Sequence, residues 1–89
     1  MEKLNFLILP ECGQYVVQGL ELDIASQGKT IDDAIASFKK SAILQMAAYI
    51  DIGEDPFCQI GMAPQEYWDT FNNAERNGVV FLPKIIRHT

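Results

Sequence analysis

With 89 residues the chain lies below the usual domain size of about 100 to 150 residues, so one core and one module are expected over residues 1 to 89. Hydrophobic residues make up 48% of it, including five Phe, three Tyr and one Trp, a composition that excludes intrinsic disorder. Twelve acidic against seven basic residues leave a net charge of −5, which repels phosphate backbones, argues against autonomous DNA or RNA binding, and favours encounter with a basic partner.

Leu4, Phe6 and Ile8 alternate with Asn5 and Leu7 and predict a first strand ending at Pro10, where a ladder donor is lost. Residues 10 to 13 then read as a turn. Tyr15 and Val17, and after Gly19 the Leu20, Leu22 and Ile24 set, continue in period two and predict two further strands with a break near Gly19 to Leu20. Short loops imply antiparallel neighbours, with one face on a core and the other on water or a partner. Thr30 fits a helix N-cap, with Asp33 in the position of a short capping box. From there Ile31, Ala34, Ile35, Phe38, Ala42, Met46, Tyr49 and Ile50 recur at three- and four-residue steps, predicting a helix over about residues 30 to 52 that keeps Lys39 and Lys40 off its buried stripe. Asp32 and Asp33 suit the positive end of its dipole, and Gly53 is its stop.

Glu54-Asp55-Pro56 opens a connection rich in breakers, and Ala63-Pro64-Gln65-Glu66 reads as a second helix start. Tyr67, Trp68, Phe71 and Ala74 give that helix a short apolar face, Asn77-Gly78 end it, and Val79 to Leu82 resume a β-type run before Pro83. Residues 84 to 89 read as a tail or edge extension. Periodicity therefore gives an α+β class.

The stretch from Gln14 to Phe38 resembles one family closely. Gln14-Tyr15-Val16, then Ala25-Ser26-Gln27-Gly28, Lys29-Thr30 and Asp32-Asp33-Ala34 match the strand, Ser-Gln-Gly join and acidic helix start of the HicB-like antitoxins. The resemblance covers residues 4 to 56, while 57 to 89 read as a divergent extension without the family's DNA-binding tail. It implies a small antiparallel sheet of three to four strands with one long helix across it, a partial ribonuclease H-like fold, here with a short second helix near the C-terminus. It also implies a non-enzymatic module that binds and neutralises a small basic ribonuclease toxin of the HicA type.

The residues themselves offer no competing chemistry. Two-metal hydrolysis needs converging carboxylates, whereas Asp32 and Asp33 are explained by the helix start, and Glu11, Glu21 and Asp23 fall on strand or turn positions facing solvent. Asp51, Glu54 and Asp55 cluster after the long helix and read as a solvated helix end. His88 stands next to the last residue without a placed partner. Cys12 and Cys58 are too few for a disulfide scaffold or a structural zinc site, and no Lys, Arg or His adjoins Cys12 to activate it. Gly28-Lys29-Thr30 matches only the end of a phosphate loop and lacks its upstream glycine, so Gly28 reads as the tight turn and Thr30 as the cap. Tyr67, Trp68 and Phe71 read as packing against their own domain rather than as a partner anchor. Glu66, Asp69 and Glu75 against Arg76 suit no nucleic-acid contact on that helix.

No cofactor or metal is expected. Glu21, Asp23, Asp51, Glu54 and Asp55 are the candidate partner-binding residues, and Gly28, Thr30 and Asp33 the structural turn and cap. Self-association to at least a homodimer is expected through a strand edge or the C-terminal aromatic segment. The apolar run in MEKLNFLILPE is too short for a signal peptide, and no stretch reaches membrane-span length, so the expected location is cytoplasmic. The alternative function is an orphan oligomeric scaffold with an unrelated partner.

Overall fold

The apolar phase at Leu4, Phe6 and Ile8 is the face on which the domain packs. The structure, a computed structural model, describes residues 2 to 73 and 77 to 82. Ala74, Glu75, Arg76, the 84 to 89 tail and His88 lie outside them. In chain order the elements are β1 (Glu2–Glu11), β2 (Gln14–Gly19), β3 (Ala25–Gly28), α1 (Ile31–Asp51), α2 (Pro56–Ile60), α3 (Gln65–Asn73) and β4 (Asn77–Leu82). They build an α+β fold, a four-stranded sheet of order β3-β2-β1-β4 with every pair antiparallel and α1 packed across it.

β1 runs through Pro10 to Glu11, beyond its expected end, because only Cys12 and Gly13 form the turn. Their φ values of 47° and 79° suit a two-residue type I′ hairpin turn, whose twist matches that of the strands. Glu11 and Gln14 then close the loop, so Pro10 opposite Tyr15 falls at a non-hydrogen-bonded position, its nitrogen turned away from β2. On that side β4 reaches only as far as Leu7 opposite Asn77, so no ladder bond is lost.

The Leu20, Leu22, Ile24 alternation does not form a strand. The chain leaves the ladder after Gly19 and rejoins it at Ala25, so Ala25–Gly28 form β3, the strand ending in Ser-Gln-Gly that the resemblance implies, with Gly28, expected in the turn, as its last residue. Those three apolar side chains are nevertheless buried, Leu22 and Ile24 in the core against α1 and Leu20 outside that cluster. Backbone bonds hold the loop: Gly19 N–H donates to the Ile24 carbonyl at 2.8 Å, and Leu20 N–H to the Asn5 carbonyl at 3.0 Å.

Between sheet and α1 lie Leu4, Phe6, Ile8, Val17, Leu22, Ile24, Val80 and Leu82, facing Ala34, Phe38, Ala42 and Met46. Phe38 is 0% exposed, and its ring centroid is 6.0 Å from that of Phe6 at an interplanar angle of 58°. Phe6 is flanked in the sheet by Gly19 and Gly78. A Cβ at Gly19 would stand 2.9 Å from the Phe38 ring and 2.6 Å from the Leu22 carbonyl, and one at Gly78 would stand 2.7 Å from Phe6. The rings therefore occupy space that any other residue at these positions would claim.

Thr30 caps α1, its hydroxyl accepting the Asp33 N–H at 3.0 Å. Ile31 and Ile35 flank the buried stripe, while Lys39 and Lys40 are exposed. At the other end Gly53 has φ 79°, its N–H meets the Ile50 carbonyl at 3.0 Å, and the Glu54 N–H meets the Tyr49 carbonyl at 2.9 Å. This is a Schellman stop, and it needs the left-handed residue that glycine supplies.

The supposed breaker connection contains a helix. Asp55 caps α2 by accepting the Phe57 N–H at 3.0 Å, and Pro56 sits in the first turn, where its missing donor costs nothing. A chain returning directly from α1 would enter its next strand parallel to β1. Instead α3 contacts β1, and β4 pairs with β1 antiparallel. The helix expected to start near Pro64 is α3, described over Gln65–Asn73, and Asn77 and Gly78, expected at its end, belong to β4. Leu7, on the phase opposite Phe6, is 1% exposed, so this side of β1 is also covered.

Two stability measurements check this packing. Phe38→Ala is expected to cost about 3 to 5 kcal/mol, read as a lower urea midpoint, and an unchanged midpoint would refute its core position. Gly28→Ala should cost more than the roughly 1 kcal/mol of Thr30→Ala, because its Cβ would meet the Ala34 nitrogen at 2.5 Å and the Asp33 carbonyl carbon at 2.8 Å. Equal losses would mean that the β3 to α1 join has room for a Cβ at residue 28.

Candidate partner-binding surface

Glu21 and Asp23 lie in the β2 to β3 loop, whereas Asp51, Glu54 and Asp55 lie at the end of α1 and the start of α2. The fold brings these two groups to the same end of the domain. α1 starts just past the end of β3 and runs back along it, delivering its C-terminus toward the loop from which β3 began. The loop is bonded to the segment that follows α2, with Asp23 N–H donating to the Gly61 carbonyl at 2.9 Å and Ala63 N–H to the Leu20 carbonyl at 2.9 Å. The last turn of α1 holds no basic residue, so the negative end of its dipole adds to the same field.

Within this cluster the acids do different work. Glu21 is half-buried and accepts the Asn5 N–H at 2.7 Å and the Asn5 Nδ2 amide at 2.6 Å. The Leu20 carbonyl is taken by Ala63, so the Glu21 carboxylate serves Asn5 as the acceptor that a continuing strand would have offered. Asp23 is exposed but accepts Gln18 Nε2 at 2.9 Å; the same amide donates to the Gly19 carbonyl at 3.0 Å, which satisfies the one buried polar side chain among the described residues. Asp55 is the α2 cap, and Glu54 accepts Gln59 Nε2 at 3.0 Å. Asp51, exposed in the last turn of α1, is the acid with the fewest structural duties. Sequence spacing carried no sign of the Asn5 to Glu21 and Gln18 to Asp23 bonds, which depend on how the loop turns.

Other candidates stay separate. Cys12 and Cys58 are exposed free thiols on the hairpin turn and on α2. Among the described residues no group of three or more His, Cys, Asp or Glu is placed to hold a metal ion. No helix among them is long and apolar enough to cross a membrane. Gly28 and Thr30 lie at the β3 to α1 join in the roles of close approach and cap. Tyr67, Trp68 and Phe71 are half-buried on α3, with Trp68 Nε1 enclosed without a hydrogen-bond partner. Beside them a shallow depression is lined by Met62, Gln65, Trp68 and Asn72.

No protein-family model matches the sequence, and no curated protein matches it. Among solved structures, the crystal structure of the Burkholderia pseudomallei antitoxin HicB is similar over 100% of this chain and 73% of that one, with a TM-score of 0.69 at 20% sequence identity. The chain thus has a HicB-like fold, as the residues around the β3 to α1 join implied, and the likeness extends through the segment beyond residue 56.

The division of labour among the acids can be measured. Glu21→Ala is expected to cost about 1 to 3 kcal/mol by leaving the Asn5 amide without an acceptor, while Asp51→Ala should stay within about 0.5 kcal/mol. Equal urea midpoints for the two variants would remove the structural role of Glu21.

Proposed function

We propose that this chain is a non-enzymatic, antitoxin-like interaction module that binds and neutralises a small basic ribonuclease toxin of the HicA type. The observation that carries this reading is the whole-chain likeness to an antitoxin. A net charge of −5 supports it, with Glu21, Asp23, Asp51, Glu54 and Asp55 gathered at one end as the surface that a basic partner meets first. Complementary charge acts mainly on the rate of encounter, and a cluster steers better than the same charges dispersed. Glu21, Asp23 and Asp55 would hold the loop and helix start in place, leaving Asp51 and Glu54 as the acids freest to meet a cation. The module would act in the cytoplasm as a homo-oligomer, at least a dimer, since a small sheet with open edges needs them covered or guarded.

The test is co-expression with a small basic protein encoded beside this one, scored by growth protection and by association kinetics. The wild type should bind and protect. Asp51→Lys combined with Glu54→Lys should mainly slow association, and added salt should narrow the gap to wild type. Failure of the wild type to bind or protect would remove the antitoxin reading and leave the oligomeric scaffold as the better account.

A further inference from the structure

Among the described residues β3 forms one edge of the sheet, and its bonding shows which backbone groups are left over. The Gly19 N–H bond to the Ile24 carbonyl sets the alternation: Ile24, Ser26 and Gly28 direct their N–H and C=O groups toward β2. Ala25 and Gln27, opposite Gln18 and Val16, direct theirs off the edge, and both residues are exposed. The same outward row begins at Asp23, whose N–H is taken by the Gly61 carbonyl. Natural sheets usually guard such an edge with charge, proline or a bulge. Ala25–Gly28 contains neither charge nor proline, and its register with β2 is unbroken.

We propose that β3 is a homotypic pairing edge, to which a second copy of this chain adds its own β3 antiparallel, centred on Ser26, so that one sheet continues across a two-fold axis. The left-over groups select the register, because ladder bonds must join outward residues to outward residues. Centring on Ser26 sets Ala25 of each copy against Gln27 of the other and uses both residues on both strands. It also sets Asp23 of each copy against Lys29 of the other, and both are exposed. A centre at Ala25 sets Asp23 against Gln27 and Lys29 against Glu21, whose half-buried carboxylate is already held by Asn5, and a centre at Gln27 sets Lys29 against Ala25, so either loses the match between exposed Asp23 and Lys29. The ladder stops where Gly61 holds the Asp23 amide and where the chain leaves β3 after Gly28, so the Asp23 to Lys29 contact is made by side chains. On the face opposite α1, a shallow depression lined by Val16, Ala25, Ser26 and Gln27 leaves room for the neighbouring strand's side chains.

This inference rests on the homodimer part of the proposed function and is independent of the antitoxin part. Ser26 falls on the two-fold axis in a non-hydrogen-bonded pair, where Cα atoms approach to about 4.5 Å, within disulfide range. In the full chain carrying Cys12→Ser and Cys58→Ser, mild oxidation of Ser26→Cys should yield a covalent dimer, and Val79→Cys on the opposite edge should not. Sedimentation should show Lys29→Asp weakening the dimer about tenfold, or about 1.4 kcal/mol, with Asp23→Lys in the same chain restoring it. The trapping arm does not depend on Asp23, whose replacement also removes its bond to Gln18. A monomer at tens of micromolar would overturn both this inference and the expected homodimer. A dimer trapped through Val79→Cys and not through Ser26→Cys, or one indifferent to Lys29→Asp, would overturn this edge and register alone. Trapping at Ser26 in a chain that fails to protect against a toxin would uphold the edge and count only against the antitoxin reading.

Discussion

The tilted ring contact between Phe38 and Phe6 is the constraint on which the rest of this domain depends. Two rings with centroids 6.0 Å apart fill the space between helix and sheet, and they fit because Gly19 and Gly78, on either side of Phe6, present no side chain on that face. Burial of both rings sets the rotation of α1, and α1 in turn sets the height at which the chain must leave β3. Gly28 is the matching adjustment at that join, bringing strand backbone against the first turn of the helix. Close packing leaves little freedom to move one of these parts without the others.

Loop geometry at the far end follows from the same economy of space. After Gly19 the ladder cannot continue straight, and the loop meets its polar requirements with Glu21 and with the amide of Gln18 while sending Leu22 and Ile24 into the core. Acidic residues are thereby held where the α1 C-terminus arrives. The charged end of the molecule is thus partly a by-product of satisfying backbone groups, and under the proposed function a partner would meet some of its charges already positioned. Preorganised charge loses less conformational entropy on binding than charge on free side chains.

The insertion of α2 and α3 changes the sheet as well as the outline. By carrying the chain past the β2 to β3 loop and against β1, it allows β4 to enter antiparallel and covers the side of β1 that bears Leu7. It also uses the Asp23 amide through Gly61, which limits how much of the β3 edge stays open. One segment therefore closes part of the sheet and defines the remainder.

The sequence by itself determined the elements whose signals are local. The Thr30 cap, the 3.6-residue stripe through Ala34, Phe38, Ala42 and Met46, and the Gly53 stop are short-range chemistry, and they fall where periodicity placed them. The resemblance around Ser26-Gln27-Gly28 likewise pointed to the fold, and those residues end β3 as it implies. Period two could not separate a strand from a loop that buries alternate residues, so Leu20, Leu22 and Ile24 misled. Pro56 reads locally as a breaker, whereas the Asp55 side chain caps the following turn and makes it a helix start. Tertiary structure alone decided the antiparallel entry of β4, the gathering of acids from residues 21 to 23 and 51 to 55, and which of them are bound to Asn5 or Gln18. These depend on contacts between residues far apart in the chain, which no local pattern encodes.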